Sequence, residues 1–189
     1  PALLARLAAE APGVRLRFVP KLDKDSAALR SGEIDLETGV VGTATGPEIR
    51  VQALFRDRFV GVVSPDHALA LGRVTPKRYA GGRHILVSRR GLDRGPMDDA
   101  LDELGLRREV AVVVGGFSTA LALARASDLV ATVPERHTAN LRTGMQSFPL
   151  PVATPEIVVA LLWHPRMDAD PAHRWLRQCV RDCVGAAAE

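Results

Sequence analysis

Ser118 follows two glycines in Gly115-Gly116-Phe117-Ser118-Thr119-Ala120, close to the way a nucleophilic serine is presented on a strand-to-helix elbow. The elbow pattern G-x-S-x-G needs a glycine where Ala120 stands, so the match fails. The five histidines, His67, His84, His137, His164 and His173, never fall at metal-ligand spacing with Cys, Asp or Glu. Asp98, Asp99, Asp102 and Glu103 share one helical stretch. Paired carboxylates can move protons, but here they sit in a helix's first turns, where the dipole favours negative charge, and they read as a wet acidic face. No G-x-x-x-x-G-K-[ST] phosphate loop occurs. The residues support no catalytic constellation, no metal and no cofactor, and the expectation is a protein that is not an enzyme.

What does recur is a strand that ends by delivering small or polar residues to a turn or a helix start. Gly39-Val40 follows one strand, and Ser88-Arg89-Arg90 another. Phe117-Ser118 stands between an apolar strand and a helix, and Thr132-Val133-Pro134 leads out of a third strand. Ligands of open α/β sheets bind at the carboxyl ends of strands, where helix N-termini offer free N–H groups to an anion. Singly, each residue is explained by a cap, a core position or a strand. Together, Gly39, Val40, Ser88, Arg89, Arg90, Phe117, Ser118, Thr132, Val133 and Pro134 predict one cleft with polar donors and an aromatic wall.

Those corners need elements to carry them. Leu3, Leu4, Leu7, Ala8 and Ala11 share a helical face that Pro12-Gly13 ends. Residues 14–19 alternate as a strand. A short helix capped at Asp25 or Ser26 closes at Gly32, and a strand over 33–39 follows, with Gly39 freeing the backbone for a turn. Two strands flank Arg56-Asp57. Thr75-Pro76 starts a helix, and 84–88 is a short buried strand. Pro96 opens a helix that Gly105 ends. Residues 109–114 read as a strand covered on both faces, and 117–126 as a helix. Residues 129–133 form a strand, Pro134 starts a helix over 134–141, and 156–164 is a long strand. Asp170-Pro171 caps a final helix bearing Trp175, Leu176, Cys179, Val180, Cys183 and Val184. Helix–strand alternation predicts an α/β fold with mainly parallel sheets.

The 189 residues are 47% hydrophobic and 25% charged, an ordinary globular balance, with no apolar run near the ~18 residues of a membrane span. Net charge is +3, but the basic residues are dispersed, and aromatics are only 4%. That argues against direct nucleic-acid binding by this chain. Two cysteines four apart suit packing, so a reducing cytoplasm is the expected compartment.

The chain resembles the effector-binding domain of LysR-type transcriptional regulators across nearly its whole length. "LLARLAAEAPGVRLRF" is similar to that family's first helix and second strand, and "ALRSGEIDLETG" to its stretch leading to a ligand-facing turn. "LFRDRFVGVVSPDHALA" is similar to its strand crossing to the second lobe, with Ala68 where proline is usual. "SDLVATVPER" resembles its strand–Pro block and "DPAHRWLRQCV" its closing helix. The Ser-Asp-Leu form at 127–129, where the family commonly has glycines, resembles the branch that responds to aromatic compounds and flavonoid-like inducers. The resemblance implies a two-lobed type-II periplasmic-binding-protein-like fold with two crossing strands. Its lobes would be 1–60 plus 160–189 and 61–159. It implies a small-molecule inducer, a carboxylate or aromatic acid, in the interlobe cleft, with Phe117 and Ser118 facing it and Thr132 to Pro134 near its back. It implies a homodimer or homotetramer in which residues 3–19 meet 109–126 of another subunit, Leu121 included. DNA would be bound only through a winged helix-turn-helix domain that, with the family's first strand, would precede Pro1. The alternative is a transport-type solute-binding protein of the same fold.

Overall fold

The computed structural model of the protein describes residues 1–21, 25–42 and 44–185. In chain order its elements are α1 (Ala2–Glu10), α2 (Ala27–Ser31), β1 (Glu37–Val40), β2 (Arg50–Asp57), β3 (Phe59–Val63), α3 (Pro76–Ala80), β4 (Arg83–Val87), α4 (Pro96–Asp102), β5 (Glu109–Val114), α5 (Phe117–Arg125), β6 (Leu129–Pro134), β7 (Gln146–Pro149), β8 (Ile157–Trp163) and α6 (Pro171–Gly185), with three short 3-10 turns. They divide into two compact units, Pro1–Arg56 with Val158–Glu189, and Asp57–Ile157. The chain therefore passes from one unit to the other twice, at 56/57 and at 157/158.

The first unit holds a three-stranded sheet in the order β1-β8-β2. Its core is Leu29, Ile49, Ala160 and Leu162, with Ile34 against them. Gly32 ends α2 in the left-handed conformation at φ 83°, the role glycine takes past a helix end. Helix α6 is fastened by polar side chains. Asp170 accepts from the His173 N–H at 2.6 Å. His173 Nε2–H donates to the Asp35 carbonyl at 2.9 Å. The Arg177 guanidinium lies 4.4 Å over the Trp163 ring, a cation–π contact, and Arg177 also donates to His173 Nδ1. Both cysteines are free, Cys179 fully buried. Residues 14–19 join no ladder among the described residues, so the strand expected there is absent, and Phe18 is 74% exposed. A strand needs a partner for its N–H and C=O groups, and alternation alone does not supply one.

The second unit is built on a five-stranded sheet, β5-β4-β6-β3-β7. β4 pairs in parallel with both β5 and β6, whereas β3 pairs antiparallel with both β6 and β7. The expectation of mainly parallel sheets is thus met by three strands only, and β1 with β8 is antiparallel as well. β5 is an edge strand with exposed Glu109 and Ala111, not the doubly covered strand its apolar run suggested. The pleat sorts β6 to two sides. Ala131 and Val133 join Val60, Val62, Ile85 and the α5 residues Ala120, Leu121 and Ala124. Val130 joins Tyr79, Ala80, Leu101 and Phe148 on the other side. Leu121, placed on an intersubunit surface by the sequence reading, is 2% exposed inside its own unit's core. Gly61 sits opposite Phe148 in the ladder. A Cβ there would meet that ring at 2.2 Å, so only glycine fits.

The Tyr79 layer also holds charge. Arg108 donates to both Asp98 oxygens at 2.8 and 3.0 Å, and their side chains are 1% and 9% exposed. Burial works against the Asp98 charge, but Arg108 and the Gly95 N–H, 2.7 Å away, hold its carboxyl below the usual range. Asp98 therefore belongs to the interior and caps its own helix; it is not on a wet acidic face. His84 is fully buried, and its Nε2 lies 2.7 Å from the Tyr79 carbonyl. A carbonyl only accepts, so Nε2 carries the proton, and Nδ1 is left buried with no partner. Protonating Nδ1 would add a donor with nowhere to donate, and burial pushes the His84 pKa from 6.5 down to about 4.

The sign follows directly. Between pH 6.5 and 4 the unfolded chain takes up a proton that the folded chain refuses, so stability falls as pH falls. Urea unfolding should show this residue costing about 2 kcal/mol between pH 7 and pH 5. The slope should flatten by that amount in His84→Met, and an unchanged slope would assign the acid sensitivity elsewhere.

Candidate functional site

Three of the four strand-end corners lie on the second unit's sheet, at the edge where β4, β5 and β6 finish. The Ser88 N–H donates to the Val114 carbonyl at 2.8 Å, which fastens the exit of β4 to the last residue of β5. Ser88 Oγ accepts from the Leu92 N–H at 2.8 Å. Gly91, at φ 66°, closes the tight turn that carries exposed Arg89 and Arg90 at its tip. From β5 the chain runs through Gly115 and Gly116 into α5. No side chain caps this helix, and no atom lies within 4 Å of where a Cβ would stand on either glycine. The first N–H groups of α5 therefore have no capping side chain, and they carry the positive end of the helix dipole. Ser118 is exposed in the first turn, and Phe117 is half-buried against the α5 side of the core.

The third corner differs from expectation. Thr132 is 9% exposed, and its hydroxyl is bonded to the Tyr79 hydroxyl at 2.7 Å. It lies on the opposite side of the sheet from Val133, which packs in the cluster that Phe117 joins. Its side chain works inside the fold. Pro134 does not start a helix; it is the last residue of β6, opposite Phe59. A turn follows, and only Ala139–Leu141 forms a 3-10 turn. The N–H groups that would have opened a helix are captured instead. Asp57, 6% exposed, accepts from the N–H groups of Arg58, Arg136 and His137 at 2.8, 2.9 and 3.0 Å. Thr138 closes the turn from the other side, its hydroxyl donating to the Pro134 carbonyl at 2.5 Å.

Sequence reasoning missed Asp57 and His137. The signal for Asp57 was present: a lone acid between two arginines at a strand break, read only as a separator. His137 stands three residues past Pro134, and its ring meets that of Phe117 edge to face, with centroids 6.1 Å apart at 70°. Outside it, Arg58 holds Glu135 by two bonds of 2.6 and 3.2 Å, which keeps that carboxyl below its ordinary range.

The fourth corner belongs to the first unit. Gly39 is not in a turn and has no positive φ; it sits within β1, paired with Ala160. Val40 follows it, opposite Val159 and 61% exposed. Among the described residues no group of His, Cys, Asp and Glu could hold a metal, and no helix is long and apolar enough to cross a membrane. Chemically, the carboxyl edge offers backbone donors, a serine hydroxyl, an aromatic ring and two nearby arginines. It suits the binding of an anion, and it holds no paired acid and base.

Comparison with known proteins gives a consistent picture. The family model described as LysR substrate binding domain matches residues 1–184. The HTH-type transcriptional regulator SyrM of Rhizobium meliloti (strain 1021) is 34% identical over 180 residues, covering 94% of this chain and 55% of SyrM. The crystal structure of the probable transcriptional regulator PA0477 from Pseudomonas aeruginosa superposes with a TM-score of 0.82 at 34% identity, over 96% of this chain and 61% of that one. The regulatory domain of MexT, a transcriptional activator in the same organism, gives 0.79 at 30% identity, over 96% and 90%. The chain spans between 48% and 61% of the length of the curated relatives it matches.

The Asp57 anchor is testable without a ligand. Asp57→Ala leaves three N–H groups without their acceptor, and each buried orphan costs about 1–3 kcal/mol unless water reaches it. With partial rescue by water, urea unfolding should show a loss of about 2 kcal/mol. Native-state hydrogen exchange should accelerate most at the Arg136 and His137 amides, and unchanged exchange there would show that the turn holds without Asp57.

Proposed function

The chain belongs to the family of LysR substrate binding domains, and from that premise we propose that it is the effector-sensing part of a transcriptional regulator. It receives a small anionic molecule at the carboxyl edge of the five-stranded sheet. The observation that carries this reading is the N-terminus of α5, which no side chain caps and which Phe117 and Ser118 flank. In this reading the α5 N–H groups and Ser118 take the anion, and Phe117 takes a ring or apolar body. Ser88 shapes the neighbouring turn, and Arg89 and Arg90 draw the anion in. Thr132, Val133 and Pro134 hold the strand end in place and do not reach the ligand. The inducer is proposed to be a carboxylate or an aromatic acid.

A ligand moves a conformational equilibrium only through unequal affinity for its states. Here the chain crosses between its units at two places, and the proposal is that binding biases those crossings and thereby a DNA-binding part outside these residues. DNA contact is assigned to that part because the positive charge of this chain is scattered. The setting proposed is cytoplasmic. Assembly is proposed to be through pairs of chains, residues 3–19 of one against 109–126 of the other. The buried position of Leu121 moves the contact to the outer side of α5, where Leu123 is 37% exposed beside the open edge of β5.

Two measurements test this reading. Calorimetry against a panel of aromatic and aliphatic carboxylates should find a binder; Ser118→Ala should weaken it by about 1 kcal/mol, the net worth of one hydrogen bond. Phe117→Ala should weaken it more, and a panel with no binder, or binding indifferent to both variants, removes the site. Separately, Leu123→Arg should convert dimers to folded monomers in light scattering, and an unchanged mass would exclude that surface.

A further inference from the structure

We propose that the second unit holds another binding site at the opposite edge of its sheet, where β4 and β6 begin, and that its ligand is a small zwitterion carrying one ammonium and one carboxylate group. This site is independent of the carboxyl edge.

A cavity of about 630 Å³ opens at that edge, a size that suits a small molecule. β3 ends there at Val63, and β4 and β6 begin there at Arg83 and Leu129. The walls are the segment 64–69 after β3, helix α3, and the entries to β4 and β6 at 81–83 and 127–128. All of them belong to one unit.

Most polar groups of these walls are spent in holding the walls together. His67 Nδ1 accepts from the Leu69 N–H at 2.9 Å, so its Nε2–H donates to the Asp128 carbonyl at 3.0 Å. That neutral ring pins the exit of β3 to the entry of β6. Arg78 donates to the carbonyls of Ala68, Leu71 and Arg73 at 2.7 to 3.2 Å, which pins α3 to the segment before it. Arg83 reaches the carboxylates of Glu109 and Asp128, each at 3.3 Å. Ser127 Oγ donates to the Leu123 carbonyl and accepts from the Leu129 N–H.

What remains is one cation and one anion. Lys77 and Asp66 line the same cavity and are exposed. Among the described residues neither side chain has a hydrogen bond or an ion pair, with the other or with any third group. The Ser64 hydroxyl on the same wall is also unbonded, and it can donate or accept. A polyanion would be repelled by Asp66 and Asp128, and a polycation by Lys77, Arg78 and Arg83. A molecule bearing both signs answers both free groups. Walls already fixed by internal bonds lose little freedom when it enters.

Amide NMR spectra of the chain, titrated with glycine, β-alanine, γ-aminobutyrate and ε-aminocaproate, test this, with caproate and hexylamine as single-charge controls. At least one zwitterion should shift the Asp66, Arg83 and Asp128 amides saturably at millimolar concentration, and neither control should. Lys77→Met and Asp66→Asn should each weaken that zwitterion by about fivefold, the scale of an ion pair that solvent reaches. Thermal unfolding should show both variants folded, as exposed side chains allow. The site does not exist if no zwitterion shifts these amides, if a single-charge control shifts them equally, or if both variants bind as the wild type does. Shifts confined to Ser88 and Phe117 would put the ligand at the carboxyl edge, overturning this site and leaving the effector reading in place.

Discussion

Strand β4 bonds in parallel to β5 on one side and to β6 on the other, and the second unit is arranged around that fact. Parallel pairing forces three carboxyl ends to one edge of the sheet. It also forces a connection over the sheet after each strand, and those connections return through α4 and α5. The turn after β4, the start of α5 and the turn after β6 thus become neighbours, although they lie far apart in sequence. The antiparallel strand β3 starts at that edge, where Asp57 holds the turn after β6, and β7 also ends there. Nothing about Ser88, Phe117 or Pro134 singly brings them together; the direction of one ladder does.

The two sides of that sheet do different work. On the α5 side the core is an apolar cluster that Phe117 joins at the edge. On the other side, polar groups are buried and matched. Asp98 is held by Arg108, Thr132 by Tyr79, and His84 by a backbone carbonyl. The matching is incomplete at His84 Nδ1, which is buried without a partner, and burial holds the pKa of that ring down. Thr132, Tyr79 and His84 thus lie across the sheet from the cluster that Phe117 joins. The Thr132 hydroxyl, expected as a ligand donor, is bonded there to the Tyr79 hydroxyl.

Much of this was legible in the sequence. The resemblance carried the family, and the alternation of elements carried the order of nearly every strand and helix. Caps were read correctly where the signal was local, as at Thr75-Pro76, Gly32 and Asp170-Pro171. The misreadings share a cause. A strand at 14–19, a turn at Gly39, a helix from Pro134 and a wet Asp98 are all sound local readings that long-range partners override. Residues 14–19 have no ladder neighbour. Gly39 has one, in Ala160. The N–H groups after Pro134 are taken by Asp57, nearly eighty positions earlier. Asp98 finds Arg108 across a turn. The strand ends at Ser88, Phe117 and Pro134 were legible, but which side each side chain faces depends on the pleat, and that separated Thr132 from Phe117. His137 carried no pattern at all.

Gly61 and Phe148 lie opposite each other in adjacent strands, and the ring of one occupies the volume where the other would have a side chain. The two positions therefore encode a single spatial decision. Any side chain at 61 demands a smaller residue at 148, and a smaller residue at 148 alone leaves a hollow beside Tyr79 that the core cannot easily close. Divergence at this pair is then a two-step process whose intermediates are both impaired. Across descendants of this chain the pair should change together or not at all, so it would serve as an inherited marker of the lineage independent of what the protein senses.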